Sequence, residues 1–431
     1  MNISSYTLIP FVLQLLVIAV APLTIPLWWE RNRNKLLVSL VLSIPVILFL
    51  MSNDMLYKFE HQMLYDYVPF VVLLGSLFVV TGGIHLSGDI MATPKTNAIF
   101  LAIGYVFASL MGTTGAAMLL IRPLIDTNRQ RKFKTHTILF FIALVANCGG
   151  LLTPLGDPPL FLLYLRGAEF TWFLHLLPEW LFVGFVLLAI YYLLDRFYYY
   201  RHEEWTAISA DIREQQPIRI TGWGNIVLLL GVVLSVAFIN SQYIPLMGQT
   251  DAPVYVKFLR EIVLGVIITL SFVLTPKSVR EANRFTLTPI LEVAAVFVGI
   301  FATMTPALIF LNQHSSDMGS LSDPSHFYYL TGMLSSFLDN APTALAFHSL
   351  AEGLPLVGAQ VAGISESILK AIATAAVFFG AMTYIGNGPN FMVKAIAEEN
   401  RVPMPSFFGY IFKFSLFVLL PVYIITERIF M

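Results

Sequence analysis

Two aspartates stand inside apolar stretches of the chain, beside residues that interrupt helices. Asp157 lies in Thr-Pro-Leu-Gly-Asp-Pro-Pro (153–159), and Asp339 lies in Leu-Asp-Asn-Ala-Pro (338–342). A charged side chain in the middle of a membrane-spanning helix costs about 2.5–3.5 kcal/mol on insertion scales, which makes it a candidate for function. A carboxylate that loses its water takes up a proton unless a cation replaces that water. The sequence therefore predicts a centre where protons and cations compete for these carboxylates.

Each aspartate also has a structural interpretation. Asp157 directly precedes Pro158, and Asp339 stands three residues before Pro342. Aspartate is a common helix N-cap, and proline is common at the first helical position. Each carboxylate could therefore cap a half-helix, and capping is compatible with ion binding.

The elements that must position these residues follow from composition. The chain has 431 residues, of which 57% are hydrophobic and 12% are charged, and its mean hydropathy is +0.76. An average soluble domain is about 25% charged. The composition excludes a soluble enzyme, a disordered protein and a basic nucleic-acid binder. We predict an all-α polytopic membrane protein. Its single cysteine, Cys148, allows neither an internal disulfide nor a cysteine metal site.

Apolar runs long enough for about 20 residues per span define ten expected transmembrane helices. They lie near 7–28, 36–52, 67–86, 137–153, 171–194, 223–240, 258–274, 286–311, 367–384 and 406–426.

Two further apolar stretches, 97–125 and 327–351, carry glycine or a charge at their midpoints. Each is long for one span and short for two, so we interpret each as a re-entrant hairpin with a polar tip. With both as hairpins, 19 of the 25 Lys and Arg residues fall on one side of the membrane. Since cytoplasmic loops are rich in these residues, the pattern favours hairpins and places both termini outside the cytoplasm.

The same order of elements occurs twice. Residues 1–194 form a first repeat with a hairpin and a broken helix at about 137–166, and 223–431 form a second repeat with a broken helix at about 367–398. Five crossings per repeat give the second repeat the inverted orientation, and 195–222 becomes a charged cytoplasmic linker. Inverted repeats with broken helices are typical of secondary transporters that bind their cargo at the midplane.

The local motifs repeat as well. Thr-x-x-Gly-Asp-Pro at 153–158 matches Thr-x-x-Gly-Asn-Gly-Pro at 383–389. Free carbonyls at such breaks can coordinate a cation, and oxygen ligands suit hard cations such as sodium. The expected site combines the two aspartates with polar and glycine residues of the tips and breaks: Asn340, Thr153, Asn147, Thr114, Thr343, Gly156, Asn387 and Asn390.

At these residues the chain resembles a known family. The segment 147–159 is similar to the Asn-Ala-Gly-Gly-x-x-Ser/Thr-Pro-Ile-Gly-Asp stretch of NhaD-type sodium/proton antiporters, and 338–342 resembles their Val-Asp-Asn-Val-Pro tip. The chain also resembles the citrate-transporter-like branch of the ion transporter superfamily. The resemblance covers about 66–426. It implies an elevator-type fold, a homodimer, and a transport domain of hairpins and broken helices.

Other ionisable residues in apolar surroundings have a structural interpretation as well as a functional one. Glu292, one turn into the eighth expected span, is either a proton relay or an interfacial glutamate. His85 and His348 fit structural histidines near the membrane edges, with a pH-sensing role left open.

The first functional interpretation is a sodium (or lithium)/proton antiporter, with sodium as the transported or coupling ion and no cofactor. The second is a sodium- or proton-coupled symporter of citrate or a related carboxylate. A membrane-embedded enzyme is a remote third, since the chain has no His-Glu-x-x-His, Gly-x-Ser-x-Gly or cysteine pair. We expect an integral protein of the plasma (inner) membrane whose partners are lipid and small ions or carboxylates, with no nucleic acid.

Overall fold

The computed structural model describes residues 3–315 and 322–431. A lipid solvent offers no hydrogen bonds, so the backbone satisfies its own polar groups in helices. Up to residue 222 the α-helices are α1 (Ile9–Thr24), α2 (Pro26–Trp29), α3 (Asn32–Ser52), α4 (Leu56–His61), α5 (Val68–Thr81), α6 (Pro94–Met111), α7 (Thr113–Thr127), α8 (Thr135–Leu144), α9 (Pro158–Leu165), α10 (Leu177–Leu194) and α11 (Trp205–Arg213). After it they are α12 (Gly224–Phe238), α13 (Val254–Lys257), α14 (Leu259–Leu274), α15 (Lys277–Ala282), α16 (Thr288–Gln313), α17 (Pro324–Phe337), α18 (Asn340–Glu352), α19 (Glu366–Phe379), α20 (Gly388–Glu399), α21 (Phe407–Tyr410) and α22 (Leu420–Phe430).

Seven helices in the described ranges are long and apolar enough to cross a membrane. They are Ser5–Pro22, Asn32–Ser52, Leu56–Thr81, Thr135–Leu152, Phe170–His202, Thr288–Gln313 and Phe407–Phe430. The remaining three expected spans fall on the shorter helices α12, α14 and α19. The class of all-α polytopic membrane protein is confirmed, while the number of ten spans stays a prediction.

Both stretches interpreted as hairpins fold as two packed helices joined by a tight turn. α6 packs on α7, and α17 packs on α18. Gly112 makes the first turn with a φ of +79°, a conformation that favours glycine because a Cβ there would be strained. Leu338 and Asp339 make the second turn in extended conformations. Re-entry through one membrane face remains a prediction.

Two long helices are interrupted where the glycines and prolines predict a break. After α8 the chain makes a 3-10 turn at Cys148–Leu152 and runs without helix to Asp157, where α9 begins. After α19 it makes a 3-10 turn at Gly380–Met382, and α20 begins after Asn387. The structure thus interrupts both helices at the glycine and proline residues.

The helices pack as two groups. The frame bundle is defined as α1, α3, α5, α12, α14 and α16, which pack on one another. The hairpin bundle is defined as α6–α9 and α17–α20, which also pack on one another. In Thr135–Leu152, which contains α8, 83% of the apolar window is buried, against 22% in Ser5–Pro22. The broken helices thus lie in the protein interior and the first helix lies at its periphery.

Two small antiparallel sheets accompany the helices. β1 (His85–Asp89) pairs with β2 (Gln216–Thr221), and β3 (Gln360–Val361) pairs with β4 (Ile364–Ser365). β2 belongs to the linker, for which the sequence predicted only a charged, partly helical connector. The linker is therefore tied by strand pairing to the segment that follows α5. Its role as the boundary between two repeats stays a prediction.

In each break the backbones of two glycines are in direct contact, so neither break has room for a larger residue. A Cβ on Gly156 would overlap the carbonyl oxygen of Gly150, which belongs to rigid backbone. We expect Gly156→Ala to lower the free energy of unfolding by about 1–3 kcal/mol, the usual cost of overpacking. Thermal unfolding in detergent measures the change. Gly265→Ala is the control, since no atom lies within 4 Å of its Cβ position. An equal unfolding temperature for Gly156→Ala and the wild type would contradict the prediction.

Candidate functional site

Asp157 lies where both hairpin turns and both helix breaks meet. Its side chain is 1% exposed. Thr113 Oγ1 donates to Oδ1 at 2.7 Å, Asn387 Nδ2 donates to Oδ1 at 3.0 Å, and Asn340 Nδ2 donates to Oδ2 at 2.5 Å. The first turn, the second break and the second turn each supply one donor. Four segments far apart in sequence therefore converge on one carboxylate.

Local sequence explains why this carboxylate is free to bind other segments. Asp157 occupies the N-cap of α9, yet its side chain accepts no capping hydrogen bond. The first two helical residues are Pro158 and Pro159, which have no backbone N–H to donate. The carboxylate therefore points to the neighbouring segments instead of its own helix. For Asp157 the structure shows the N-cap position without the capping bond.

Asp339 behaves differently. Its side chain accepts a hydrogen bond from the backbone N–H of Ala341 at 3.1 Å, which is the N-cap bond of α18. Thr343 Oγ1 donates to the backbone carbonyl of Asp339 at 2.8 Å in the same turn. Asp339 is half-buried and directly precedes Asn340, which bonds Asp157. Within the described chain no hydrogen bond joins the two carboxylates, which stand on neighbouring segments.

The two breaks are built alike. Thr153 Oγ1 donates to the backbone carbonyl of Ser109 and accepts from the N–H of Leu155. Thr383 Oγ1 donates to the carbonyl of Ser336 at 2.5 Å and accepts from the N–H groups of residues 385 and 386. Each threonine therefore fastens a break to the hairpin of its own half. The predicted residue Gly156 completes the first junction by accepting from the N–H of Thr113 at 2.8 Å.

Asparagines join one break to the other. Asn147 Nδ2 donates to Asn390 Oδ1 at 2.6 Å, and Asn387 Nδ2 donates to Asn147 Oδ1 at 3.2 Å. Asn390 Nδ2 donates to the carbonyls of Gly380 and Thr383 at 2.8 and 2.9 Å. Asn147 and Asn390 thus spend both amide N–H groups and their carbonyl oxygens on protein partners. Both residues therefore connect one break to the other, and a cation ligand at this centre requires an oxygen with a free lone pair.

One such atom stands beside Asp157. Asn340 is fully buried and donates through Nδ2, but its Oδ1 has no hydrogen-bond partner among the described residues. A buried acceptor without a hydrogen-bond partner costs about 1–3 kcal/mol. Such an atom in a folded protein needs an explanation, and one explanation is a bound ion or ligand that pairs with it. A cation fits this position, because amide and carboxylate oxygens are ligands of hard cations.

Among the described residues, two predicted ones make no hydrogen bond to this cluster. Thr114 lines a cavity of about 60 Å³ between the first turn and the frame bundle. Glu292 pairs with Lys35 Nζ at 2.5 Å, and both residues belong to the frame bundle. His85 and His348 bond the Asn283 side chain at 2.7 Å and the Ala362 carbonyl at 2.9 Å, as structural histidines do.

The sequence analysis missed Thr113, Ser109 and Ser336. A repeated spacing could have found them, because Ser109 precedes Thr113 by four residues, as Ser336 precedes Asn340. Thr113 and Asn340 each begin the second helix of a hairpin, and both donate to Asp157.

A wide cavity of about 780 Å³, here called the vestibule, opens at the linker end of the hairpin bundle. It is lined by β1, by the second half of α7, by the segment after α11 and by residues 282–284 and 400. Four arginines and three carboxylates border it: Arg122, Arg129, Arg213, Arg284, Asp89, Asp126 and Glu214. The vestibule thus gives one end of the hairpin bundle a charged, open cavity.

Fold and site together define an integral membrane protein with a polar centre built from interrupted helices. Residues 1–431 match the model of a family described as "Putative citrate transport", and the chain belongs to this family of transporters. A shorter segment is 30% identical over 116 residues to the inner membrane protein YbiR of Escherichia coli (strain K12). That similarity covers 24% of this chain and 31% of YbiR.

The asparagine connection between the breaks makes a prediction about stability. Asn390→Ala removes the donor from two buried carbonyls, and each carbonyl left unpaired costs about 1–3 kcal/mol. We expect a lower unfolding temperature in detergent. Asn400→Ala is the matched control, since Asn400 lies at the exposed end of the same helix and bonds only the Ile396 carbonyl. Equal losses in the two variants would contradict the role assigned to Asn390.

Proposed function

We propose that this transporter exchanges sodium or lithium for protons and that Asp157 is the group for which they compete. The observation that carries the proposal is the surroundings of Asp157: a buried carboxylate with three neutral donors and, in the described ranges, no Lys or Arg within bonding distance. Its negative charge is therefore not compensated by the protein.

An uncompensated buried carboxylate needs a cation or a proton. Burial in a medium of low dielectric constant disfavours the charged form, so the group either takes up a proton or holds a cation. These two states exclude one another at one carboxylate. If both can cross between the two faces and the empty charged site cannot, cation and proton exchange follows. Asp157, Asn340 Oδ1 and nearby backbone carbonyls are the proposed cation ligands.

The membrane arrangement belongs to the proposal as well. Two inverted repeats divided at 195–222, re-entrant hairpins and movement of the hairpin bundle against the frame bundle would give alternating access. The equivalent hydrogen bonds of Thr153 and Thr383 support the repeats. We place the protein in the plasma (inner) membrane as a homodimer, with both termini and the end opposite to the vestibule outside the cytoplasm.

Citrate symport is the second candidate, and the family description favours it. The helices α9 and α20 both have their N-termini at the central site, and helix N-termini attract carboxylates. In that case the cation or proton at Asp157 would be the coupling ion, and citrate would bind only when Asp157 is neutralised.

Exchange in everted vesicles tests the first candidate. Sodium added to acidified vesicles should cause alkalinisation, and Asp157→Asn should reduce it by at least about tenfold, because a neutral amide cannot alternate between a proton and a cation. Asp54→Asn, an exposed loop variant, is the control and should leave the signal unchanged. Full exchange by Asp157→Asn would overturn the proposal.

Labelled citrate uptake into proteoliposomes separates the two candidates. Antiport predicts no uptake above that of empty liposomes at any sodium or proton gradient. Uptake that requires a gradient and is lost in Asp157→Asn would favour symport over antiport.

A further prediction concerns Asp339 and the net charge that crosses the membrane in each transport cycle. Asparagine is as good an N-cap as aspartate, so Asp339→Asn should keep the wild-type unfolding temperature. If both carboxylates take part, this variant should lose exchange, and in the wild type an imposed membrane potential should change the exchange rate. We expect both results, since two acids at one sodium site leave a net charge movement. An exchange rate that does not change with the membrane potential would indicate that Asp157 alone takes part in the exchange.

A further inference from the structure

An ion pair crosses from the hairpin bundle to the frame bundle at the far end of α9. Arg166, the residue after α9, donates through Nη2 to Asp66 Oδ2 at 2.9 Å and to Gln62 Oε1 at 3.2 Å. Both acceptors lie in the π-helical segment Gln62–Tyr67, which continues into α5. The side chains of Arg166 and Asp66 are 24% and 8% exposed, so water screens this pair weakly.

Other frame helices hold the same turn of α9. Tyr164 Oη donates to the Val236 carbonyl of α12 at 2.9 Å. The Arg260 guanidinium of α14 lies 5.6 Å from the centre of the Tyr164 ring and is itself neutralised by Glu261 at 2.6 Å. The last turn of α9 is therefore fixed to three helices of the frame bundle.

At the opposite end of the interface between the bundles, the ion pair is exposed instead of buried. There Arg284, which follows α15, pairs with Glu399 at the end of α20 at 2.7 Å, with side chains 65% and 57% exposed. Arg284 of this second pair lines the vestibule. Asp66 and Thr81 belong to one continuous helix, and their fifteen-residue separation corresponds to about 22 Å. The buried pair thus lies far from the vestibule, and the exposed pair lies beside it.

α9 connects the buried pair to the central carboxylate. The helix begins directly after Asp157 and ends directly before Arg166. Eight helical residues span about 12 Å as a stiff rod, so fixing Arg166 also fixes the position of Asp157 relative to the frame bundle.

We infer that Asp66 and Arg166 form a latch that keeps this end of the hairpin bundle closed while the vestibule end is open. This inference rests on the alternating access of the proposed function. Opening the latched end requires the Asp66–Arg166 pair to separate. The exposed Arg284–Glu399 pair has little influence, because water competes for both of its charges.

A thiol-labelling experiment tests the latch without measuring transport. Leu119→Cys places a reporter in the vestibule, and the native Cys148 is completely buried. A membrane-impermeant maleimide is applied to the purified full-length protein in nanodiscs. We expect Asp66→Asn to slow labelling of the reporter at least about threefold, because the population shifts away from the vestibule-open state. Glu399→Gln, which removes the exposed pair, should change the rate less than twofold.

Charge exchange separates a latch from general damage. The double variant Asp66→Arg, Arg166→Asp restores an ion pair of reversed polarity and should return the labelling rate to within about twofold of the reporter alone. If the reversed pair fails to fold, Gln62→Leu, which removes only the second acceptor of Arg166, should slow labelling by a smaller factor than Asp66→Asn. Labelling that is unaffected by Asp66→Asn, or slowed equally by Glu399→Gln, would overturn the latch.

The labelling result is distinguishable from the outcome of the exchange assay. If the wild type shows no sodium/proton exchange but Asp66→Asn slows labelling and the reversed pair restores it, the proposed cargo fails and the latch stands. If exchange is confirmed and labelling is insensitive to Asp66, the latch fails and the proposed function stands.

Discussion

A helix that breaks inside a membrane must find partners for its free backbone groups, because lipid supplies none. In this protein the two breaks obtain those partners from the hairpin turns. Thr153 and Thr383 each hold a hairpin carbonyl and cap the N–H groups of their own break, and the amide of Thr113 satisfies the carbonyl of Gly156. The turns, the breaks and the central site are therefore one structure, in which each part supplies hydrogen-bond partners to the others.

Much of this centre could be predicted from the sequence. Glycine and proline act locally, so the positions of the breaks and turns follow from the residues themselves. The prolines after Asp157 also predict a weak cap: the first two helical positions have no N–H, and the N–H of Leu160 at the third bonds the Asp157 backbone carbonyl at 3.0 Å instead of the carboxylate. Asp339 has Ala341 with a free N–H at the corresponding place, and there the capping bond forms.

What could not be predicted depends on contacts between distant segments or on helix rotation. The sequence predicts Thr114 in the site, but its neighbour Thr113 is the residue that donates to Asp157. Successive residues of a helix point about 100° apart, and the turn at Gly112 decides which threonine faces Asp157. The pairing of Glu292 with Lys35 joins residues of α16 and α3, and no local pattern reveals it. The same holds for the bond between Asn147 and Asn390.

Asp157 and Asn387 occupy matching places in the two helix breaks, and only Asp157 is an acid. Both residues occupy the N-cap after a Thr-x-x-Gly break, and the asparagine donates to the aspartate at 3.0 Å. Two aspartates here would place like charges in contact in a medium of low dielectric constant, and two asparagines would bind neither a proton nor a cation strongly. One acid and one amide avoid both defects, because the amide N–H stabilises the charged form without neutralising it. The remaining negative charge is then available to whichever cation or proton enters, as the proposed exchange requires.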